Sequence, residues 1–309
     1  MVIGAMPLAA EEPLSEALNF FVYDTVKVFI LLTVMVFLVA IIRTFVTPQQ
    51  VKKLLGDKRE GLGNILAALF GVPTPFCSCS AVPLFIGLVD AGVPLGVTFS
   101  FLISAPMVNE VAVALLLGLV GWQMTAIYVA CGLAVAILGG IIIGRLNLEG
   151  EVEDFVFKVR TKKIADPKQS WKQRLQFAKA ETIDIVNRVA PYIILGIALG
   201  ALIHGYAPVD FLADAAGRNN PFAVPVAVLV GIPLYSNAAG TIPIVQALME
   251  KGMALGTALA FMMSVTALSF PEMFILRKVL KPKLIAIFVA ILGISFVLIG
   301  LLFNAITPS

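Results

Sequence analysis

Two cysteines stand one residue apart in a proline-bounded segment, Thr74-Pro75-Phe76-Cys77-Ser78-Cys79-Ser80-Ala81-Val82-Pro83. A thiolate is a nucleophile and a ligand for soft metals, and the N-terminus of a helix favours this ionised form. Two sulfur atoms this close suit a thiophilic centre, such as trivalent arsenic or Cu(I), better than Na⁺ or Mg²⁺. We predict that Cys77 and Cys79 bind such a ligand, with Ser78 and Ser80 in the same site. The alternative is that the cysteines only pack as small apolar side chains.

A second segment, Pro233 to Pro243, is also framed by prolines. It offers hydroxyl and amide groups in place of thiols: Tyr235, Ser236 and Asn237. We expect a helix to begin near Pro83 in the first segment and near Pro243 in the second, with Ser80 and Thr241 as caps. Backbone N–H groups and the positive ends of both helix dipoles would then face a ligand. The pattern predicts sulfur ligation from one segment and hydrogen bonding from the other, and Asn109 and Thr241 are also predicted to bind the substrate.

Glu110 follows Asn109 inside an apolar run behind the first segment. An ionised carboxylate at membrane depth costs about 2.5–3.5 kcal/mol on insertion scales, so such a residue usually faces a cavity and has a function. One hypothesis is that Glu110 takes up and releases a proton during transport. The other is that Asn109 and backbone donors hold Glu110 as a structural strut. Glu272 is expected to pair with Arg277 or Lys278.

The composition indicates what kind of structure positions these residues. Of the 309 residues, 60% are hydrophobic and 13% charged, and the mean hydropathy is +0.99. Soluble proteins have about 25% charged residues, so a soluble enzyme, a disordered chain and a nucleic-acid-binding domain are excluded. One His and three Cys, without CxxC or HExxH spacing, exclude the common zinc sites. No GxxxxGK[ST] loop occurs, and no cofactor is expected. The sequence predicts an all-α polytopic protein of the lipid bilayer.

Membrane-spanning helices need about 20 apolar residues. Complete spans are predicted at Phe20–Ile42, Leu95–Leu119, Met124–Ile143 and Leu284–Phe303, a short one near Val189–Ile203, and a sixth from Ala254 to about Met273. Two further apolar stretches, Leu62–Val89 and Phe222–Met249, are broken by the proline segments. Their arms of about 10–12 residues reach only about half of the membrane. Each stretch is either an interrupted helix or a re-entrant hairpin.

The basic residues favour hairpins. Of 22 Lys and Arg residues, 18 lie in segments 43–60, 145–179 and 277–283. Positively charged loops stay in the cytoplasm, so these segments should share one side. They do so only if both broken stretches return to the side that they enter from. We therefore predict six spans and two re-entrant hairpins in the inner (plasma) membrane, with both termini outside.

The two halves resemble each other at an offset of 160 residues. Nine of the 34 positions from 71 to 104 are identical at this offset, five of them Gly or Pro. A slip of two residues would then align Glu110 with Glu272. Three crossings per half make the second copy inverted, as in many secondary transporters; chance similarity of apolar sequences is the alternative. The predicted domains are a first repeat (1–144), a cytoplasmic connector (145–179) and an inverted second repeat (180–309).

The cysteine segment, followed by Ser104-Ala105-Pro106-Met107-Val108-Asn109-Glu110, resembles the ArsP-like (YraQ-type) predicted permease family. The resemblance covers nearly the whole chain and implies an inner-membrane efflux permease. Some relatives export trivalent organoarsenicals such as methylarsenite, and a neighbouring branch is associated with copper and zinc. Ligand roles for Cys77 and Cys79 come from their chemistry, since the resemblance does not assign them.

The leading interpretation is a secondary exporter of a thiophilic metalloid or organoarsenical, which is not an enzyme and works by alternating access. A Cu/Zn or small-anion transporter of the same architecture is one alternative. A membrane thiol oxidoreductase using Cys77 and Cys79 is another, although such enzymes usually relay electrons through a second pair. Cys131 alone cannot form that pair, and we expect it to pack in the core. The partners are a small-molecule or metalloid substrate and lipid; the sequence leaves a homodimer open.

Overall fold

A computed structural model describes residues 13–45, 61–72, 78–90, 92–153, 170–206, 220, 222–234, 238–250, 252–277 and 279–307. These residues form helices and turns, with one isolated bridge between Val152 and Leu280 and no longer strand pairing in the described part of the chain. Together with the apolar composition, this confirms the all-α membrane class.

The helices of the first half are α1 (Pro13–Phe45), α2 (Leu62–Gly71), α3 (Ser78–Asp90), α4 (Leu95–Met107) and α5 (Glu110–Arg145). Those of the second half are α6 (Trp171–Tyr206), α7 (Ala223–Gly231), α8 (Ala238–Glu250), α9 (Leu255–Ala267), α10 (Phe270–Leu276) and α11 (Pro282–Ile306). Among the described residues, four segments are long and apolar enough to cross a membrane: Phe21–Leu38, Glu110–Arg145, Leu255–Phe274 and Pro282–Ile306. The chain is therefore a multi-pass membrane protein.

Several predicted spans match helices. Phe20–Ile42 lies inside α1 and Leu284–Phe303 inside α11. The short span near Val189–Ile203 belongs to the 36-residue helix α6, which continues through Pro191. Helix α5 is interrupted at Gly121, where φ is 79°. This position lies between the predicted end of one span at Leu119 and the predicted start of the next at Met124.

Two predicted spans are not single helices. Leu95–Leu119 is broken after Met107, and the sixth span is broken after Ala267. Pro106, near the end of α4, cannot donate a backbone hydrogen bond, and Asn109 caps the new helix by accepting from the Ala112 N–H. A count of apolar residues does not detect such a break, because the apolar run resumes within a few residues after it.

The returning arms of the two broken stretches begin earlier than predicted. Helices α3 and α8 start at Ser78 and Ala238, so that Pro83 and Pro243 fall inside them. The prediction that Ser80 and Thr241 cap these helices is therefore wrong. A proline inside a membrane helix is tolerated where neighbouring groups satisfy the freed carbonyl.

The offset of 160 residues recurs in the helix bounds. Helices α3 and α8 match residue for residue at this offset, and so do α4 and α9. The turns between them match as well: Gly92 and Gly252 have φ values of 80° and 97°, a conformation that glycine adopts without strain. The breaks at Val108 and Leu268 end in the same hydrogen bond, back to Ser104 O and Ser264 O.

The chain forms two compact units. One comprises Leu31–Val189 and Glu272–Leu292. In it, all 13 residues of α4 are buried, and α4 packs against α2, α3 and α5. The other comprises Met1–Ile30, Ala190–Pro271 and Gly293–Ser309. In this second unit α9 packs against α7 and α8, and its residues from Gly256 to Ala267 are buried.

Glycines allow the central helices to approach closely. A Cβ atom added to Gly96 would collide with Gly140 O and would lie 2.8 Å from the Gly144 Cα. At the equivalent crossing, a Cβ on Gly256 would collide with Gly300 O and would lie 2.6 Å from the Asn304 Oδ1. Small residues at helix crossings permit this contact in membrane proteins, where packing replaces the hydrophobic effect between helices.

The basic segments are tied to other parts of their unit by polar contacts. Arg174 donates to Thr44 O at 2.5 Å, at the C-terminal end of α1. Arg277 pairs with Glu153 at 3.0 Å, and Lys283 pairs with Glu151 at 3.5 Å. The segment after α5 therefore contacts the segment that precedes and begins α11.

Candidate functional site

Most predicted ligand-binding side chains cannot be placed. Cys77 and the three polar residues of the second segment, Tyr235, Ser236 and Asn237, lie outside the described residues. Ser78, Cys79 and Ser80 form the first turn of α3, but their side chains also lie outside the description. Ligand binding by these residues stays a prediction. The structure does describe the helices that flank these segments, and contacts between those helices locate the candidate site.

In the first half, the arm that leads into the cysteine segment ends against the break after α4. A Cβ atom on Gly71, the last residue of α2, would collide with the Ser104 hydroxyl and would lie 3.0 Å from Ala105 N. Since α4 ends at Met107, the cysteine segment leaves α2 one turn from the point where α4 is broken. Gly71 and Ser104 are distant in the sequence, so this contact could not be predicted from it.

The second half repeats the arrangement. The Ser264 hydroxyl donates to Val228 O on α7 at 2.6 Å. The N–H of Phe270, the first residue after the break, donates to Ile232 O at 3.0 Å. Helix α7 therefore ends beside the break between α9 and α10. The candidate site in each half is therefore marked by a helix break and by the end of the helix that leads into the proline segment.

The first break is held together by its own side chains. The Asn109 side chain accepts from Ala112 N at 2.8 Å and donates from Nδ2 to Pro106 O at 3.2 Å. The buried Tyr128 hydroxyl donates to Met107 O at 2.8 Å. Sequence analysis selected Asn109 but missed Tyr128, which lies 21 residues away from its partner in an apolar run.

The two glutamates near the breaks differ in exposure. Glu110, in the first turn of α5, is exposed, whereas Glu272 is buried and only 1% exposed. Arg277, one of its expected partners, pairs with Glu153, and Lys278 lies outside the described residues. The predicted slip of two residues is also absent, because α5 and α10 start at 110 and 270. Glu110 and Glu272 are therefore not equivalent positions.

Two other predicted residues are placed. Thr241 is fully buried and lies inside α8. Cys131 is a free thiol on α5 and is partly buried, so it is less enclosed than the predicted core position. The described residues contain no group of three or more His, Cys, Asp or Glu side chains that could hold a metal ion.

Comparisons with known proteins agree with this architecture. A family model described as a predicted permease matches residues 13–305. Protein YraQ of Escherichia coli is 26% identical over 266 residues, which is 86% of this chain and 74% of the relative. Protein MJ0584 of Methanocaldococcus jannaschii is 24% identical over 271 residues, covering 70% of this chain and 74% of the relative.

A protein of Streptococcus mutans, named a putative two-component membrane permease complex subunit, is 26% identical over 199 residues. The match covers 62% of this chain and 64% of that protein. No solved structure matches this chain.

Proposed function

Because the chain belongs to the predicted permease family whose model matches residues 13–305, we propose that it is a secondary transporter of the inner membrane. Its cargo is a thiophilic metalloid or an organoarsenical such as trivalent methylarsenite, and it exports this cargo by alternating access. Both termini lie outside, and Glu110 is the candidate for proton coupling. The family match and the apolar helices support the more general statement that the chain is a multi-pass membrane transporter.

The observation that carries the proposal is the pair of short buried helices, α4 and α9, each of 13 residues. At about 1.5 Å per residue each is about 20 Å long, less than the hydrocarbon thickness of about 30 Å. Both end in irregular backbone near the ends of α2 and α7. Irregular backbone at membrane depth is tolerated where it is buried in protein or lines a water-filled cavity. Broken helices near the midplane form the binding sites of many secondary transporters.

The contacts of the basic segments support re-entrant hairpins. Thr44 and Arg174 are in contact, so an even number of crossings separates them. If residues 95–120 and 122–145 each cross the membrane once, α2 and α3 enter and leave on one side, as the proposal expects. Glu153 and Arg277 are also in contact, and the same count applies to α7 and α8. Three crossings per half then make the second repeat inverted.

The proposed cargo rests on the chemistry of Cys77 and Cys79, two soft ligands one residue apart in the sequence. Uptake into everted membrane vesicles tests this point, with methylarsenite, arsenite, Cu(I) and sulfur oxyanions as substrates. We expect methylarsenite uptake by the unmodified protein and its loss in the Cys77→Ser, Cys79→Ser double variant. Cys131→Ser is the matched control and should transport normally. Normal uptake by the double variant would contradict sulfur ligation and would favour a small-anion carrier, and Cu(I) uptake alone would favour a copper transporter.

Labelling of the thiols separates a transporter from a thiol oxidoreductase. A transporter should keep Cys77 and Cys79 as free thiols, which trivalent arsenicals protect from maleimides. An oxidoreductase would cycle them to a disulfide with a quinone or a partner thiol. Formation of that disulfide during turnover would contradict the transporter proposal.

Proton coupling by Glu110 is tested through the pH dependence of uptake. The side chain is exposed at the start of α5, as exchange of a proton with its surroundings requires. Glu110→Gln should flatten the pH dependence of methylarsenite uptake, and an unchanged pH profile would leave Glu110 a structural role. A homodimer stays a prediction, to be checked by the mass of the purified protein in detergent.

A further inference from the structure

The first turns of α6 have one side packed against the protein. Arg174, Ala178 and Thr182 follow one another at four-residue spacing, and their exposed fractions are 8%, 0% and 5%. Residues at this spacing lie on the same side of a helix. The buried contacts of these turns are therefore confined to one side, and the other side chains are free to meet the surroundings of the protein.

An exposed face beside the buried one combines basic and apolar side chains. Lys172 and Lys179 are exposed, and Leu175 and Ile183 are 38% and 51% exposed. Lys179 lies four residues from both Leu175 and Ile183. Lys172 lies seven residues from Lys179, so the four side chains share one face of the helix, here called the lysine face. Trp171, at the start of the same helix, is 57% exposed.

A contact with α1 indicates the depth of this part of α6. The Arg174 guanidinium donates to Thr44 O and, at 3.1 Å, to the Thr44 hydroxyl. Thr44 is the last but one residue of α1, about 3 Å beyond the apolar run that ends at Ile42. The start of α6 therefore lies at the level where α1 leaves the apolar part of the bilayer, which is the level of the lipid headgroups.

The positive charge of the lysine face is not balanced by the protein nearby. Residues 167–180 contain four basic residues and no Asp or Glu. Neither Lys172 nor Lys179 forms an ion pair with a residue that the structure describes. Both ammonium groups are thus open to an anionic partner.

We propose that the lysine face binds anionic phospholipid through the lipid phosphate groups. A lysine lays its alkyl stem on apolar surface and extends its ammonium group to the headgroups. Leu175 and Ile183 then contact the acyl chains, and Trp171 has the amphipathic ring that is enriched at membrane interfaces. Basic residues on an amphipathic helix attract anionic lipids. The proposal goes beyond transport, since it concerns neither the cargo nor the direction of its movement.

A lipid is a better match for this face than an acidic protein segment. The face combines exposed apolar side chains with two lysines, and it lies at a depth where phospholipid is the surrounding medium. An acidic peptide would match the lysines and would leave Leu175 and Ile183 without apolar contact.

Quenching of Trp171 fluorescence by brominated lipids tests the proposal. The chain has two tryptophans, so Trp122→Phe leaves only the one beside Lys172. This variant is reconstituted into phosphatidylcholine vesicles with increasing fractions of brominated phosphatidylglycerol or brominated phosphatidylcholine. One lysine near an anionic surface contributes a factor of about five in affinity. We therefore expect half-maximal quenching at a mole fraction of the phosphatidylglycerol at least about fivefold below that of the phosphatidylcholine.

Two further variants test the role of the charge. Replacing both lysines by glutamine (Lys172→Gln, Lys179→Gln) in the Trp122→Phe protein should make the two mole fractions equal. Replacing both by arginine should retain the difference, because arginine keeps the charge.

Trp171→Phe is the matched control, since it leaves Trp122 as the only tryptophan. Trp122 is 70% exposed, but no Lys or Arg occurs between Arg59 and Arg145. Both lipids should therefore quench Trp122 equally.

Equal quenching of Trp171 by the two lipids would overturn the proposal and would favour an acidic protein segment as the partner. A preference for phosphatidylglycerol that survives the glutamine changes, or that Trp122 shares, would also overturn it. Because no cargo is present, this result is separate from the outcome of methylarsenite uptake.

Discussion

The Tyr128 side chain supplies a hydrogen bond to the last residue of α4 at the first helix break. It is among the largest fully buried side chains, and its hydroxyl donates to Met107 O at 2.8 Å. Tyr128→Phe leaves this carbonyl without the donor, which costs about 1–3 kcal/mol for a buried group. We expect a lower Tm, by roughly 2–4 °C for each kcal/mol, measured by thermal unfolding in detergent.

Tyr23→Phe is the matched control for this change. Tyr23 is 63% exposed on α1, and its contact with Lys27 runs through the ring face, at 5.6 Å from the centroid, which phenylalanine retains. The control should unfold like the unmodified protein. Equal Tm values for both variants would show that the hydrogen bond to Met107 contributes nothing measurable to stability.

The sequence identified some of these residues and missed others for a physical reason. Asn109 is recognisable because a polar residue between apolar runs is a known helix cap. Glu272 carries the same signal as Glu110, an acid within an apolar segment, but its burial depends on tertiary packing. The nearby basic residues made an ion pair the expected role for Glu272, whereas Arg277 pairs with the connector residue Glu153.

At the scale of helices, the glycine contacts set how closely the central helices pack. Gly96→Ala places a methyl group against Gly140 O and the Gly144 Cα, where the rigid backbone cannot move away. Overpacking of this kind costs about 1–3 kcal/mol or more. We expect reduced expression and a lower Tm, measured by fluorescence-detected size-exclusion chromatography after heating.

Gly118→Ala provides the comparison within the same unit. It lies on α5 with no atom within 4 Å of an added Cβ, and alanine favours the helix over glycine by about 1 kcal/mol. This variant should be as stable as the unmodified protein or more so. A Gly96→Ala protein as stable as Gly118→Ala would contradict the close packing of α4 on α5.

The sequence predicts where helices occur better than it predicts where they are interrupted. Long apolar runs predict α1 and α11, because length and hydropathy alone decide whether a segment can span a bilayer, and a short apolar run falls inside α6. The breaks after Met107 and Ala267 are not visible in the apolar content, because each apolar run resumes after a few residues. The starts of α3 and α8 were missed because a proline inside a membrane helix was interpreted as a helix start.

At the scale of the whole molecule, the path of the two broken stretches through the membrane is the prediction with the clearest test. Single cysteines are introduced at Leu62 and Pro94, both exposed, which flank the first stretch, in a background where the three native cysteines are serine. If the hairpin is re-entrant, a membrane-impermeant maleimide should label both positions from the same side of intact cells or everted vesicles. Labelling from opposite sides would show that the stretch crosses the bilayer.

The charge distribution predicts that the three basic segments share one side, since loops rich in Lys and Arg remain in the cytoplasm. Charge alone could not predict which loops touch each other. The pairing of Glu151 and Glu153 with Lys283 and Arg277 brings together segments more than 120 residues apart, and such distant pairing depends on the path of every helix between them.

The antiparallel bridge between Val152 and Leu280, with its flanking ion pairs, fastens the first half of the protein to the second independently of the peptide chain. A chain divided after position 160 and expressed as two fragments should therefore reassemble, and an affinity tag on one fragment should recover the other. Because exposed ion pairs weaken in salt, recovery should fall when the membranes are solubilised in concentrated NaCl. Fragments that never associate would show that the covalent connector, and not this fastening, keeps the halves together.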